Sequence, residues 1–185
     1  MLLKDNLRKK FNSIRKKKYF EVSNQFYNPL LNLLKGISKK KVIKVSLYYP
    51  SNFEVNTLKL LKILKKKKNI LTFLPNIYSK NEIKFYEWSY LDLLKVNKYG
   101  LLEPLILKKP SIPTIILVPM LAYDTNKQRL GYGKGYYDRF LNKYLKLNKN
   151  ITTIGVAFSF QKYNKLPASN FDVKMNYILT ENGIY

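Results

Sequence analysis

The sequence of 185 residues contains neither cysteine nor histidine. The absence of cysteine excludes disulfides and thiol nucleophiles, and the absence of histidine excludes imidazole acid–base catalysis. Zinc sites built from cysteine and histidine are excluded as well. Any catalysis must therefore use carboxylates, lysine, arginine, tyrosine, backbone N–H groups and a hard cation such as Mg²⁺. This set of groups suits phosphate chemistry.

Alanine and arginine are also scarce, with three and four copies against 31 lysines, and the formal net charge is +24. Such a charge could bind nucleic acid through its phosphates. However, lysine, asparagine, isoleucine, tyrosine and phenylalanine have codons dominated by A and T, and the basic residues are scattered, with runs at 16–18, 39–41 and 65–68. The composition favours codon bias, and no specific nucleic-acid partner is expected. A nucleic-acid-binding protein that uses the basic surface is the alternative.

No apolar run approaches the roughly 18 residues that a membrane-spanning helix needs. Leu2 and Leu3 are followed at once by charged residues, which is not the pattern of a signal peptide. The expectation is therefore a cytoplasmic protein without a membrane segment. The length fits one domain over 1–185, and a monomer is expected.

Hydrophobic periodicity predicts helices over 2–24, 26–35, 55–66 and 136–147. Strands are predicted over 42–48, 70–74, 82–88, 114–118, 151–158 and 175–179, the second of them ended by Pro75. Strands that alternate with helices predict an α/β fold, a three-layer α/β/α sandwich around a mostly parallel sheet. Ligands of such sheets bind beyond the carboxyl ends of the strands, so the loop after Val118 is the first candidate site.

Three of the seven glycines, Gly131, Gly133 and Gly135, fall within five residues, and Arg129 and Arg139 flank them. Alternating glycines allow the backbone to approach a ligand closely, and successive N–H groups before a helix can bind phosphate. Arg129 and Lys134 would add positive charge, and Asp138 would offer a hard oxygen to Mg²⁺. A plain glycine-rich turn before a helix is the alternative.

Residues 118–139 read VPMLAYDTNKQRLGYGKGYYDR, which resembles the most diagnostic motif of the 5-formyltetrahydrofolate cyclo-ligases. The similarity extends over nearly the whole chain, through KDNLR at 4–8, YYP at 48–50 with EVNT at 54–57, FYEW at 85–88, NKYGLLEP at 97–104 and GVAF at 155–158. Gln161, Leu166-Pro167 and Asp172 resemble the C-terminal end of the family.

The resemblance implies an enzyme that converts 5-formyltetrahydrofolate and ATP to 5,10-methenyltetrahydrofolate, ADP and phosphate. The formyl oxygen would be phosphorylated to an iminophosphate, and N10 of the folate would then close the ring. The implied partners are Mg²⁺, ATP as co-substrate and 5-formyltetrahydrofolate, possibly polyglutamylated. Such chemistry depends on positioning and charge neutralisation more than on proton transfer, so the missing histidine is no objection.

The resemblance also assigns roles to residues. ATP would be bound by Lys4, Arg8, Arg129, Leu130, Gly131, Tyr132, Gly133, Lys134, Gly135, Tyr136 and Tyr137. Arg129, Lys134 and Tyr136 would act in catalysis. The folate would be bound by Tyr49, Glu54, Trp88, Tyr132, Gly133, Lys134, Gly135 and Tyr136. Asp138 and Asp172 would hold the metal ion.

Each role has a structural alternative. Lys4 and Arg8 could belong to an exposed basic helix face, and Lys134 could be one more solvated lysine. Asp138 could complement the helix dipole, an effect of about 0.3–1 kcal/mol. Trp88 could belong to the core. Asp124 is expected only to order its loop.

Overall fold

A seven-stranded sheet forms the centre of the protein, whose computed structural model describes residues 2–37, 42–106 and 108–185; the basic run at 39–41 lies outside these ranges. Its strands are β1 (Ile43–Ser46), β2 (Ile70–Ile77), β3 (Ile83–Glu87), β6 (Ile115–Pro119), β9 (Thr152–Val156), β10 (Tyr177–Thr180) and β11 (Gly183–Ile184). The spatial order is β11-β10-β9-β6-β1-β2-β3. The five inner strands are parallel, and both edge strands pair antiparallel. The predicted mostly parallel sheet is confirmed.

Strand β6 shows why the sheet is covered on both faces. Ile115 and Leu117 point into one apolar cluster, whereas Ile116 and Val118 point into another. The first cluster includes residues from α2 (Asn28–Ile37) and α3 (Leu58–Leu64), and the second includes residues from α4 (Tyr136–Leu147). An unbroken apolar run is typical of a central strand buried on both sides. The three-layer arrangement follows from this pattern.

Strand β2 corrects one prediction, because it continues through Pro75 to Ile77. Strand β1 pairs with β2 only as far as Phe73, and beyond that point the described pairing of β2 is with β3. Proline has no N–H to donate and is tolerated where a strand has become an edge. Pro75 therefore lies beyond the pairing with β1, where β2 has become an edge on that side, and does not end the strand.

The N-terminal helix α1 (Leu2–Lys18) is shorter than predicted, and a short 3-10 helix (Asn24–Tyr27) precedes α2. Val22, which the helical pattern included, lies in extended chain and is buried in the core with α2 and α3. Helix α1 buries Leu7 and Phe11 against Leu121, Ala122 and Leu130. These residues follow β6, so α1 packs at the carboxyl end of the sheet.

Two small hairpins were not predicted. Strands β4 (Leu94–Val96) and β5 (Leu102–Pro104) form one, and β7 (Ala122–Tyr123) and β8 (Arg129–Leu130) form the other. A second 3-10 helix spans Ser159–Gln161. Within the ranges that the structure describes, no helix is long and apolar enough to span a bilayer.

Candidate active site

A cavity of about 420 Å³ opens at the carboxyl end of the parallel strands, within the usual size range of ligand pockets. Its walls come from the segment after β1, from the end of β2, from the β4–β5 hairpin and from the stretch 129–138 after β6. Adjacent parallel strands deliver their following loops to the same edge of a sheet, which explains the convergence. The expectation that the site follows Val118 agrees with this position.

The glycine loop, residues 131–135, forms one wall of the cavity. Gly133 has φ +92° and Gly135, which precedes α4, has φ +66°. Side chains with a Cβ rarely adopt such angles, so glycine is required here for the loop to present its backbone to the cavity. Arg8 of α1 donates from Nε to the carbonyl oxygen of Gly131 over 3.0 Å. Arg8 and the loop thus lie together, as the family motif implies.

Two aspartates line the same cavity, and each is paired with a basic side chain. Asp138 accepts from Arg129 over 2.8 Å, and Asp172 accepts from Lys4 over 2.6 Å. Burial acts to raise the pKa of Asp172, but hydrogen bonds from Lys4 and Ser169 outweigh it and lower that pKa. Lys4 reaches the site through Asp172 and is not part of the cavity wall.

The two aspartates are compatible with Mg²⁺ bound together with a phosphate ligand. Among the described residues, no group of three or more acidic, histidine or cysteine side chains could hold a metal by itself. Mg²⁺ is usually held by one or two carboxylates together with substrate phosphates and water. Asp138 and Asp172 supply oxygen ligands of this kind beside a loop suited to phosphate. The donor set therefore fits a metal that arrives with a nucleotide.

Glu54 is 7% exposed, lines the same cavity and follows a strained turn. Asn52 and Phe53 both have positive φ, at +46° and +61°, which is costly for residues with a side chain. The turn allows Ser51 to donate its backbone N–H to Glu54 Oε2 over 2.8 Å. Burial raises the pKa of Glu54, although hydrogen bonds from Tyr132 and Ser51 and the charge of Arg15 oppose the shift.

The aromatic residues predicted to flank the folate are placed differently. Tyr49 lines the cavity. Trp88, by contrast, is 3% exposed in the core cluster with α2 and α3, and its indole N–H donates to the carbonyl of Asp92 over 3.1 Å. The structure does not bring Trp88 into the cavity, and its position agrees with the alternative of core packing.

The loop residues also differ in how they face the cavity. Leu130 is buried and packs with Leu7 and Phe11 of α1, so its side chain does not line the cavity. Tyr137 lines it, but its buried hydroxyl has no hydrogen-bond partner in the described part of the chain. Lys134 is exposed, with its ammonium 5.6 Å from the centre of the Tyr99 ring.

Three residues of the site were not singled out from the sequence. Tyr99, in the turn between β4 and β5, reaches the start of α4, where its hydroxyl lies 3.1 Å from that of Tyr136. Glu103 of β5 lines the cavity and accepts from the backbone N–H of Ile77. Both lie in NKYGLLEP at 97–104, so the motif was a usable signal. Arg15, described below, had no such signal because it precedes three lysines on α1.

Asp124 has the modest role expected of it. Its Oδ1 accepts the backbone N–H groups of Asn126 and Gln128, over 2.9 and 3.0 Å, and Oδ2 accepts that of Leu166 over 2.9 Å. The first two bonds close the turn between β7 and β8, and the third ties that turn to the segment at Leu166. The aspartate orders the loop and does not line the cavity.

Comparison with known proteins agrees with the motif. The sequence model of the 5-formyltetrahydrofolate cyclo-ligase family matches residues 2–181. A 5-formyltetrahydrofolate cyclo-ligase of Haemophilus influenzae is 28% identical over 148 residues, covering 77% of this chain and 78% of that protein. One of Mycoplasma pneumoniae is 31% identical over 116 residues, covering 55% and 68% respectively.

Solved structures show the same fold. The NMR structure of 5,10-methenyltetrahydrofolate synthetase from Aquifex aeolicus aligns with a TM-score of 0.72 and 31% identity, covering 98% of this chain and 91% of that one. A 5,10-methenyltetrahydrofolate synthetase from Mycoplasma pneumoniae aligns with a TM-score of 0.66 and 26% identity, covering 95% and 97%. The predicted fold class and the resemblance in sequence are both confirmed. The chain belongs to the 5-formyltetrahydrofolate cyclo-ligase family and is a ligase enzyme.

Proposed function

We propose that the protein cyclises 5-formyltetrahydrofolate to 5,10-methenyltetrahydrofolate in a reaction that uses ATP and Mg²⁺ and releases ADP and phosphate. One observation carries the proposal: a single cavity combines a glycine loop before a helix, two aspartates and the buried Glu54. The first two features suit a metal–nucleotide complex, and the third suits a ligand with hydrogen-bond donors.

The nucleotide phosphates would lie against the glycine loop, where backbone N–H groups and the N-terminus of α4 favour negative charge. Arg8, Arg129 and Lys134 border this region and would neutralise the phosphates. Asp138 and Asp172 would hold Mg²⁺, whose charge would stabilise the phosphates during transfer. Arg129 and Lys4, which pair with these aspartates in the free protein, would be available to the phosphates once the metal is bound.

The pterin part of the folate would bind at Glu54. A carboxylate can accept two parallel hydrogen bonds, which matches the adjacent amine and amide donors of the pterin ring. Tyr132 and Ser51 already donate to Glu54 and fix its orientation, and Tyr49 offers an aromatic face beside it. The cavity would thus place the formyl group between the pterin site and the nucleotide loop.

In the reaction, the formyl oxygen attacks the γ-phosphorus, and the bond to the β,γ-bridging oxygen breaks to release ADP. N10 then attacks the activated carbon, loses its proton, and the former formyl oxygen leaves with the phosphate. Holding the two reactants in line supplies much of the acceleration in such transfers. Lys134 and Arg129 would stabilise the charge that develops on the transferred group.

The proposal is tested by mixing the purified protein with 5-formyltetrahydrofolate, ATP and Mg²⁺ and following the absorbance of the methenyl product. We expect product to form, and to fail when ATP is omitted or Mg²⁺ is chelated. Arg129→Met should abolish turnover, whereas Lys16→Met, an exposed change on α1, should not. No product from folded protein would refute the proposal. Steeply salt-dependent RNA binding in place of turnover would favour the nucleic-acid-binding alternative.

A further inference from the structure

Arg15 is a buried cation that the proposed reaction does not use. It lies on α1 and is only 1% exposed, although it precedes the exposed run of lysines at 16–18. Its Nη1 donates to the hydroxyl of Tyr132 over 2.7 Å and to the carbonyl of Met120 over 3.3 Å. Its Nε and Nη2 have no hydrogen-bond partner among the described residues.

Such an arrangement is unfavourable for stability alone. A buried charge with unsatisfied donors is destabilising, and an apolar residue of similar size often replaces a buried ion without loss of stability. Folding therefore gives no reason to prefer arginine at this position. The hydrogen bond to Tyr132 indicates a functional reason instead.

Tyr132 joins Arg15 to Glu54. Because a guanidinium group only donates, the hydroxyl of Tyr132 must accept from Arg15, and its single proton is then left for the other neighbour. That neighbour is Glu54 Oε1, which accepts it. Tyr132 lines the cavity and is 37% exposed as a residue, whereas its hydroxyl lies between Arg15 and Glu54.

The charges around Glu54 also indicate a functional role for Arg15. The titratable groups near its carboxylate are Tyr132 of the glycine loop, Tyr48 after β1, Tyr137 of α4 and Arg15 of α1. Burial together with the Glu54 charge raises the pKa of each of the three tyrosines, so they stay neutral. The positive charge of Arg15 opposes the rise in the pKa of Glu54 that desolvation causes.

We propose that Arg15 is a positioning residue for folate binding: it orients the Tyr132 hydroxyl toward Glu54 and balances the Glu54 charge, so that this carboxylate is ready to accept the pterin donors. The inference rests on the proposed function for the identity of the ligand. Since Tyr132 lies between Gly131 and Gly133, the same contact ties the folate wall of the cavity to the nucleotide loop.

The test compares Arg15→Met with Lys16→Met, which removes the neighbouring but exposed charge of α1. We expect Arg15→Met to raise the KM for 5-formyltetrahydrofolate about tenfold, the usual scale for losing a hydrogen bond to a charged group. The KM for ATP should change by less than about threefold, and Arg15→Lys should recover part of the loss because it keeps the charge. In a Glu54→Gln background, Arg15→Met should add little, since the two residues act through one contact.

A second readout needs no substrate. The ¹³C shift of the Glu54 carboxyl, assigned with Glu54→Gln, is followed against pH in the free protein. We expect its midpoint to move to higher pH in Arg15→Met and to stay in place in Lys16→Met. If the wild-type protein forms no product, the proposed function fails, and this titration still decides the role of Arg15.

Three results would overturn the inference: an unchanged Glu54 midpoint, an unchanged KM for the folate, or fully additive losses in the double variant. Should Arg15→Met fail to fold, Tyr132→Phe decides the matter, because it keeps Arg15 and removes only the bridging hydroxyl. A wild-type KM for the folate in that variant would refute the proposal.

Discussion

Replacing Gly133 by alanine would test whether the glycine loop binds nucleotide through its backbone. Gly133 has φ +92°, and a Cβ added there would lie 3.1 Å from the guanidinium carbon of Arg8. The methyl group therefore meets two obstacles, an unfavourable backbone angle and a side chain that must move. Both obstacles affect groups that are assigned to ATP binding, namely the loop backbone and Arg8.

The size of the effect follows from the backbone strain. A residue with a Cβ loses about 1–2 kcal/mol in the left-handed region. If the loop of the variant relaxes to another conformation in the free protein, ATP binding must return it to the strained one. That requirement weakens ATP affinity about 5- to 30-fold. If the loop keeps its shape, the free energy of unfolding falls by that amount, and the displaced Arg8 still weakens binding.

Calorimetric titration with Mg-ATP and thermal unfolding measure the two quantities on one preparation. Gly36→Ala is the matched control, since Gly36 is exposed near the end of α2 and an added Cβ meets nothing within 4 Å. That change should raise stability by up to about 1 kcal/mol, because alanine favours helix, and should leave ATP affinity alone. A folded Gly133→Ala variant with an ATP Kd within twofold of wild type would refute the assignment of the loop.

Three further changes separate the roles of individual residues. Burial raises the pKa of Glu54, so kcat/KM for the folate should fall as pH drops through that raised pKa, where the carboxylate becomes protonated. Glu54→Gln should raise the KM for the folate about tenfold and remove this acid limb; a limb that survives would show that another group titrates. Asp138→Asn should lower turnover about 100-fold and raise the Mg²⁺ concentration needed, and normal activity would exclude a metal role. Trp88→Phe should lower the free energy of unfolding by about 1–2 kcal/mol, through the lost bond to Asp92 and a small cavity, with the KM for the folate within twofold. A larger change in KM would place Trp88 in the folate site.

The sequence predicted those features that rest on local patterns. The apolar run at 114–118 predicted a central strand because both faces of β6 are buried, and periodicity placed α4 to the residue. The three glycines predicted the loop because two of them need positive φ. The alternation of strands and helices predicted the fold class, and the motif at 118–139 predicted the family.

Features that depend on distant neighbours were not predicted. Pro75 suggested the end of a strand, since only the three-dimensional pairing shows that β1 has already stopped. Val22 fell within the predicted helix 2–24, although it lies in extended chain and belongs to a different cluster. Strands of two or three residues, as in β7 and β8, are too short to show alternation.

In the candidate site, too, features that rest on local sequence patterns were predicted and features that depend on distant neighbours were not. The carboxylates, Arg8 and the glycine loop were predicted and do line the cavity. Trp88, which the motif offered as a folate residue, lies in the core, whereas Arg15, which no motif singled out, is buried beside Tyr132 of the site. Whether a single side chain is buried in the core or at the site depends on the elements that surround it. The spacing of residues along the chain does not indicate this.

The pairing of both cavity aspartates with cations bears on how variants of this enzyme are interpreted. In a chain with 35 basic and 11 acidic residues, Asp138 and Asp172 also serve as internal counter-ions, for Arg129 and Lys4. A single Asp→Asn change therefore removes a candidate metal ligand and at the same time leaves a basic side chain without its ion-pair partner. Removing both members of a pair, as in Lys4→Met with Asp172→Asn, keeps the local charge constant, so comparison with Asp172→Asn alone shows how much of the loss comes from the unpaired lysine.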